Sequence, residues 1–244
     1  MIIDDVSSNL DLKSCSLLGR AWIPRSQKKL FQHIILAPAK VNLWLSRTKD
    51  TAAAMAPWII KFELRADKNS DSRPLPWDRP SILTQLIGSL ASSPIKHLTI
   101  APFHMGRFRK TPLVRCFEPI VNSLCSLELR FIKTCTPALT FLISMFPNLD
   151  DIFLECVNTT PMTWARGGHD FEHIPSFAGT LEYLDLYGGT RPAFLSWIME
   201  FPLWFHTIYP GMLAKHDVPV FAKLVAMCAP TLRVIPHVMF DGGA

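Results

Sequence analysis

Three apolar residues recur along most of the chain in the spacing a-x-x-a-x-a. The sets are Ile59-Phe62-Leu64, Ile95-Leu98-Ile100, Leu124-Leu127-Leu129, Leu149-Ile152-Leu154 and Leu181-Leu184-Leu186. Shorter versions, Phe205-Ile208 and Leu232-Ile235, continue the series. The last two members of each set alternate with other residues, which predicts a short strand with one buried face. Between the sets lie stretches with helical spacing. They run from Ser81 to Ala91, Pro137 to Phe146, Pro192 to Phe201 and Val218 to Met227, and each carries an apolar stripe such as Leu139, Leu142, Ile143 and Phe146. Phe146-Pro147, Phe201-Pro202 and Ala229-Pro230 fall at matching places after them. Proline cannot continue a helix and disfavours a helical residue before it, so these are stop signals.

One helix and one short strand every roughly 25–30 residues is the layout of a leucine-rich-repeat solenoid. The expected fold is α/β, with parallel strands inside and helices outside. An ordinary layered α/β domain also alternates helices and strands. The L-x-x-L-x-L register, the recurring proline and the lack of a Gly-rich phosphate loop favour the repeat. Residues from Arg65 to Pro80, with Asn69, Ser70, Asp71, Ser72 and several prolines, read as a surface loop.

The N-terminal segment follows another pattern. Leu12, Cys15, Leu18 and Trp22 form one helical stripe. Pro24 fits the first turn of a second helix, Arg25 to Phe31, whose Lys28 and Lys29 suit the negative end of the helix dipole. His33 to Leu36 reads as a short strand. The segment is too small to bury a core of its own, so two regions are expected, 1–36 and 37–244.

Composition narrows the classes. Of 244 residues 49% are hydrophobic and 18% charged, which calls for a buried core and excludes wholesale disorder. Twenty prolines against eleven glycines enforce many stops between short elements. A net charge of +5 is too mild for a dedicated nucleic-acid binder. The six cysteines form no C-x-x-C pair, and most sit among Leu, Ile and Phe, as reduced core thiols do. Met1 to Leu10 carries Asp4 and Asp5 and lacks a basic leader before an apolar run, unlike a secretory signal. Phe194 to Ala214 is the most membrane-like stretch, but Pro202 and Pro210 divide it, and it reads as a buried helix followed by a strand. The expectation is a protein of the cytoplasm or nucleus, with no membrane and no nucleic-acid partner.

The stretch from Asp11 to Phe31, DLKSCSLLGRAWIPRSQKKLF, resembles the second half of the F-box in leucine-rich-repeat F-box proteins of mushroom-forming fungi. Cys15, Ser16, Leu17, Arg20, Trp22, Pro24, Ser26, Leu30 and Phe31 stand where that family's pattern puts them, and Gly19 departs from it. The stretches around Trp58 to Leu64, Leu142 to Leu149 and Leu181 to Leu186 look like the family's degenerate repeats. The family's F-box opens with a Leu-Pro-x-Glu-Leu helix that has no counterpart before Asp4, so the matched part is an N-terminally truncated F-box. The resemblance implies a non-enzymatic receptor subunit. Its F-box would dock on the Skp adaptor of a Skp–cullin–F-box ubiquitin ligase through Leu12, Cys15, Leu17, Leu18, Trp22, Leu30 and Phe31. Its repeats would present a protein substrate. The alternative is a stand-alone repeat scaffold, with Leu12, Cys15, Leu18, Trp22 and Phe31 capping the first repeat.

In an a-x-x-a-x-a strand the residues between the anchors point away from the core. They include Lys61, Glu63, Arg65, His97, Thr99, Ser126, Glu128, Arg130, Asp151, Phe153, Glu155, Tyr183, Asp185 and Tyr187. Glu128, Asp151, Phe153, Glu155, Tyr183, Asp185 and Tyr187 join carboxylates to aromatic rings, which suits a basic peptide; a merely solvated acidic face is the plainer reading. Other candidates are weaker. His169, Asp170, Glu172 and His173 have a helical metal-ligand spacing but sit between Gly167-Gly168 and Pro175, as in a polar loop. The basic run from His104 to Lys110, with Arg115 and an interleaved Phe108, could touch phosphate but reads as a solvated loop. No G-x-S-x-G elbow and no G-x-x-x-x-G-K-[ST] loop occurs, and no catalytic residue, cofactor or metal is expected.

Overall fold

The computed structural model describes residues 23–47, 55–66, 75–156, 158–159, 181–187, 192–200, 205–210, 212–213, 215, 217–235 and 239–240. In chain order its elements are α1 (Ile23–Phe31), β1 (His33–Leu36), α2 (Val41–Arg47), β2 (Lys61–Arg65), α3 (Pro80–Gly88), β3 (His97–Ala101) and β4 (Phe103–His104). There follow α4 (Lys110–Phe117), β5 (Ser126–Arg130), β6 (Ile132–Thr134), α5 (Thr136–Ser144), β7 (Asp151–Glu155), β8 (Asn158–Thr159) and β9 (Tyr183–Tyr187). The last are α6 (Pro192–Ile198), β10 (Thr207–Tyr209), β11 (Met212–Leu213), α7 (Val218–Cys228) and β12 (Met239–Phe240).

The fold is α/β with a central seven-stranded sheet ordered β1-β2-β3-β5-β7-β9-β10, and its paired strands are parallel. The order in space is the order in sequence. Of the strands left out, β4, β6 and β8 form a parallel sheet of their own in the same order, and β11 and β12 form a parallel pair. Each neighbouring pair of main strands is joined through the same backbone device. Two consecutive N–H groups donate to one carbonyl of the preceding strand's entrance, at 2.8–3.2 Å. Ile60 and Lys61 donate to Gln32, Lys96 and His97 to Ile60, Cys125 and Ser126 to Lys96, and the pattern runs on to Arg233 and Val234 on His206. Thr207 also bridges Val234, which extends the sheet by one position.

The apolar sets are in register. Ile34, Phe62, Leu98, Leu127, Ile152, Leu184 and Ile208 form one row across the sheet, and Leu36, Leu64, Ile100, Leu129, Leu154 and Leu186 form the next. The anchors from Ile59 through Ile208 are at most 3% exposed. Helix residues such as Leu83, Leu86, Leu139, Leu142, Leu195 and Leu224 share that core. Fully burying one such side chain contributes about 1.5–3 kcal/mol, so the rows are the main stabilising term.

The helices start where the sequence makes starting cheap. Pro80, Pro112, Pro137, Pro192 and Pro219 lie in first turns, where a missing N–H breaks no helical bond. Helix α3 buries Leu83, Leu86 and Ile87 at spacings of three and one, a single stripe. Helix α5 buries Ala138 to Ile143 all round, because it lies between its neighbours and the sheet. The helices pack in chain order, α2 on α3, α3 on α4, α5 on α6 and α6 on α7. The stretch from Phe194 to Ala214 holds most of α6 and then β10, the buried helix and strand expected of it. Among the described residues no helix is long and apolar enough to cross a membrane.

Two expectations are corrected. The basic run ending at Arg115 is not all loop, since Lys110–Phe117 is α4. Its Leu113, Cys116 and Phe117 are buried, and Phe108 packs edge-on against Phe103 at 5.4 Å, so that ring is part of the core. The stretch before Pro80 is not simply a surface loop either, because Leu75, Trp77 and Asp78 are buried. Trp77 donates its indole N–H to Pro102 O at 2.9 Å. The Asp78 carboxylate accepts the N–H groups of Leu75 and His104 at 2.9 and 3.0 Å and lies 3.2 Å from His104 Nδ1. Local polarity suggested solvent, whereas a corner of chain 25 residues away supplies the partners.

Candidate functional site

The exits of β3, β5 and β7 turn the chain toward the small sheet at Pro102, Phe131 and Cys156. Phe131 and Cys156 are left-handed, with φ of 51° and 52°, and the Ala101–Pro102 bond is cis. The residues between the anchors share the opposite face of the main sheet from the anchor rows. One outward row is His33, Lys61, His97, Ser126, Asp151, Tyr183 and Thr207. The next is Ile35, Glu63, Thr99, Glu128, Phe153, Asp185 and Tyr209.

At the β1–β3 end the face is closed by its own charges. The Glu63 side chain is only 2% exposed, under His33 Nε2 at 2.7 Å, Lys61 Nζ at 3.0 Å and Arg65 Nη2 at 2.6 Å. Oε2 meets the Arg65 guanidinium as an ion pair without hydrogen-bond alignment. Burial pushes the Glu63 proton affinity up. The hydrogen bonds from Lys61 and His33 and the charges of Lys61 and Arg65 outweigh it, so the pKa lies below the ordinary 4.5.

The centre is a mixed network. Thr99 donates to Glu128 Oε2 at 2.9 Å. Arg130 Nε binds Glu128 Oε1, and its Nη1 lies 3.2 Å from Glu155 Oε2. The same guanidinium lies over the Phe153 ring, 5.0 Å from its centre.

Toward β9 and β10 the face opens. Tyr183 donates its hydroxyl to Asp185 Oδ2 at 3.2 Å, and its ring lies 5.4 Å from that of Tyr209. Asp151 stands beside Tyr183 in the register, and Asp185 stands between Phe153 and Tyr209. Among the described residues no cation lies within 4.0 Å of either carboxylate. Burial raises the Asp151 pKa above 3.8, and Asp150 and Glu182 add to the rise while His97 opposes it. Asp185 is raised by burial; the Tyr183 hydrogen bond and Arg130 offset part of this, and Glu155 and Glu128 add to it. Burial and the neighbouring Asp185 charge also hold the Tyr183 hydroxyl well above its ordinary range.

Of the residues expected to meet a partner, Glu128, Asp151, Phe153, Glu155, Tyr183 and Asp185 therefore share one continuous, half-buried surface. Tyr187 ends β9, and its side chain lies outside the described residues. Tyr209 was missed, although carrying the alternation one step past Ile208 would have found it. The shielding of Glu63 was legible in part, since Lys61 and Arg65 flank it on the same strand face, while His33 joins them only because β1 lies beside β2.

Of the residues expected to meet an adaptor, Leu30 and Phe31 lie half-buried on α1, and Phe31 stacks on Trp58 with ring centres 6.4 Å apart. Leu12, Cys15, Leu17, Leu18 and Trp22 lie outside the described residues, as do His169 to His173. Among the described residues no three His, Cys, Asp or Glu side chains group as metal ligands. Cys116, Cys135 and Cys228 are buried, and burial lifts the Cys228 thiol to about 11, too high for a reactive thiolate. No family model matches the chain, and no curated protein matches it.

Proposed function

We propose that the chain is a leucine-rich-repeat solenoid that serves as the substrate receptor of a Skp–cullin–F-box ubiquitin ligase and performs no chemistry itself. The observation that carries the architectural half is the two-on-one backbone hydrogen bonding repeated from Gln32 to Val234, with in-register anchor rows behind it. A strand order that never departs from chain order along the main sheet is what stacking of similar units produces. The ligase half rests on the likeness of residues 11–31 to the later part of an F-box. Adaptor binding falls to Leu12, Cys15, Leu17, Leu18, Trp22, Leu30 and Phe31, and substrate binding to the open face around Phe153 and Tyr183. The functional location that follows is the cytoplasm or nucleus.

Co-expression with a fungal Skp adaptor and affinity capture tests this reading. The chain should co-purify with the adaptor, and Trp22→Ala should weaken capture. No capture by an adaptor that retains a control F-box protein would remove the ligase role. The second reading is a stand-alone repeat scaffold in which Phe31 caps the first repeat, and the stacking of Phe31 on Trp58 supports it. That reading keeps the same partner face.

A further inference from the structure

We propose that the β7–β10 end of the open face receives an arginine side chain of a protein partner, between Asp151 and Asp185 and against the rings of Tyr183 and Tyr209. The proposal takes the open face as the docking surface of the preceding section and names the chemistry it selects. The protein already shows how this surface treats a guanidinium. Arg130 lies over the Phe153 ring and pairs with both Glu128 and Glu155. From the start of β7 across β9 to β10 the same ingredients recur with no cation within 4.0 Å among the described residues: two carboxylates, half-buried, and a pair of aromatic rings 5.4 Å apart.

The chemistry favours arginine over other cations. A guanidinium is planar, offers five N–H donors in a fork, and stacks on rings while it pairs with carboxylates. Asp185 keeps Oδ1 available, because Tyr183 donates to Oδ2. A lysine ammonium would supply the charge but neither the fork nor the stacking plane. A divalent metal is a poor fit, since no third ligand joins the two carboxylates among the described residues. Charge directs the approach as well. Asp150 and Glu182 add to the negative potential at the strand entrances, while Lys61 and Arg65 are held by Glu63 at the far end.

The test uses the full chain and a fluorescein-labelled nonapeptide carrying three arginines among neutral residues, with lysine and citrulline counterparts, read by anisotropy at low salt. The arginine peptide should bind, the lysine peptide less tightly, and the uncharged citrulline peptide about tenfold more weakly or worse. Asp151→Asn and Asp185→Asn should each weaken the arginine peptide about fivefold to tenfold, and Lys61→Gln should leave it within about twofold. Neither Asn variant removes an ion-pair partner, and a cooperative melt confirms that each is folded. Equal affinity for arginine and citrulline peptides, or no binding of either, overturns the proposal. So does indifference to both Asn variants, and equal binding of the lysine peptide removes the guanidinium selectivity. Adaptor capture is scored separately: a chain that binds the adaptor but not the peptide refutes only this inference, and the reverse result refutes only the ligase role.

Discussion

On β2, Glu63 lies beneath His33, Lys61 and Arg65; on β7 and β9, Asp151 and Asp185 point from the same face with no cation in reach among the described residues. Glu63 and Asp185 occupy equivalent outward positions, and Asp151 lies in the adjacent outward row, level with Lys61. Their surroundings differ because the neighbouring strands differ. Beside Glu63, β1 brings a histidine, and β2 itself places a cation on either side, two residues away along the strand. Beside Asp151 the register neighbours are Ser126 and Tyr183, and beside Asp185 they are Phe153 and Tyr209, with His97 and Arg130 acting only from beyond ion-pair distance. The first end has satisfied its charge internally and gains little from a partner. The second carries unneutralised charge and partly exposed rings, which a protein tolerates at modest cost to its stability where another molecule binds.

The largest effects should not distinguish the two ends. Phe62→Ala under β2 and Leu184→Ala under β9 should each cost about 2–5 kcal/mol, measured as a lower urea midpoint. A much smaller loss for Leu184→Ala would show that the β9 end is not part of the same core.

The outward face should then separate them. Glu63→Gln removes the buried anion and leaves Lys61, Arg65 and the His33 ring around a neutral amide; because both cations are more than a third exposed, it should cost about 1–2 kcal/mol in the same assay. A loss of under about 0.5 kcal/mol, the size expected of an exposed pair, would mean that its shielding is immaterial.

The smallest effect carries the opposite sign. Asp151→Asn and Asp185→Asn should raise the melting midpoint by about 1–3 °C at neutral pH, since each removes a half-buried charge among like charges. The pH profiles follow. The Glu63 pKa is lowered in the fold, so its stabilisation is complete above the ordinary 4.5 and is lost as pH falls through the depressed value. The pKa values of Asp151 and Asp185 are raised, so the fold binds their protons more tightly and stability declines as pH rises from 3.8 through the elevated values. Thermal melts from pH 3 to 7 should show Glu63→Gln losing part of the acid limb and the double Asn variant losing part of the decline. Identical profiles for the two would erase the contrast.

Much of the frame was legible along the chain. The anchor sets named β2, β3, β5, β7, β9 and β10, because a buried row needs an apolar residue at every second position; they did not show β4, β6, β8, β11 or β12, and the last set, Leu232-Ile235, forms only a bridge at Val234 with Ile235 exposed. First-turn prolines and apolar stripes located α3, α5, α6 and α7. Helix α4 was hidden because only Leu113, Cys116 and Phe117 face inward and basic residues flank them. Trp77 and Asp78 were hidden because their partners, Pro102 and His104, come from another repeat. Of the open face, alternation supplied its members but not its division into a closed and an open end.

Sequence alone determined which residues point inward, since side-chain direction in a strand is a local consequence of backbone pleat. It thereby set the period, the core rows and the polar face. Only the tertiary structure decided how completely each carboxylate is buried and neutralised. That depends on which strand lies alongside and how deep each group is buried, and Coulomb energy follows distance and dielectric rather than position along the chain.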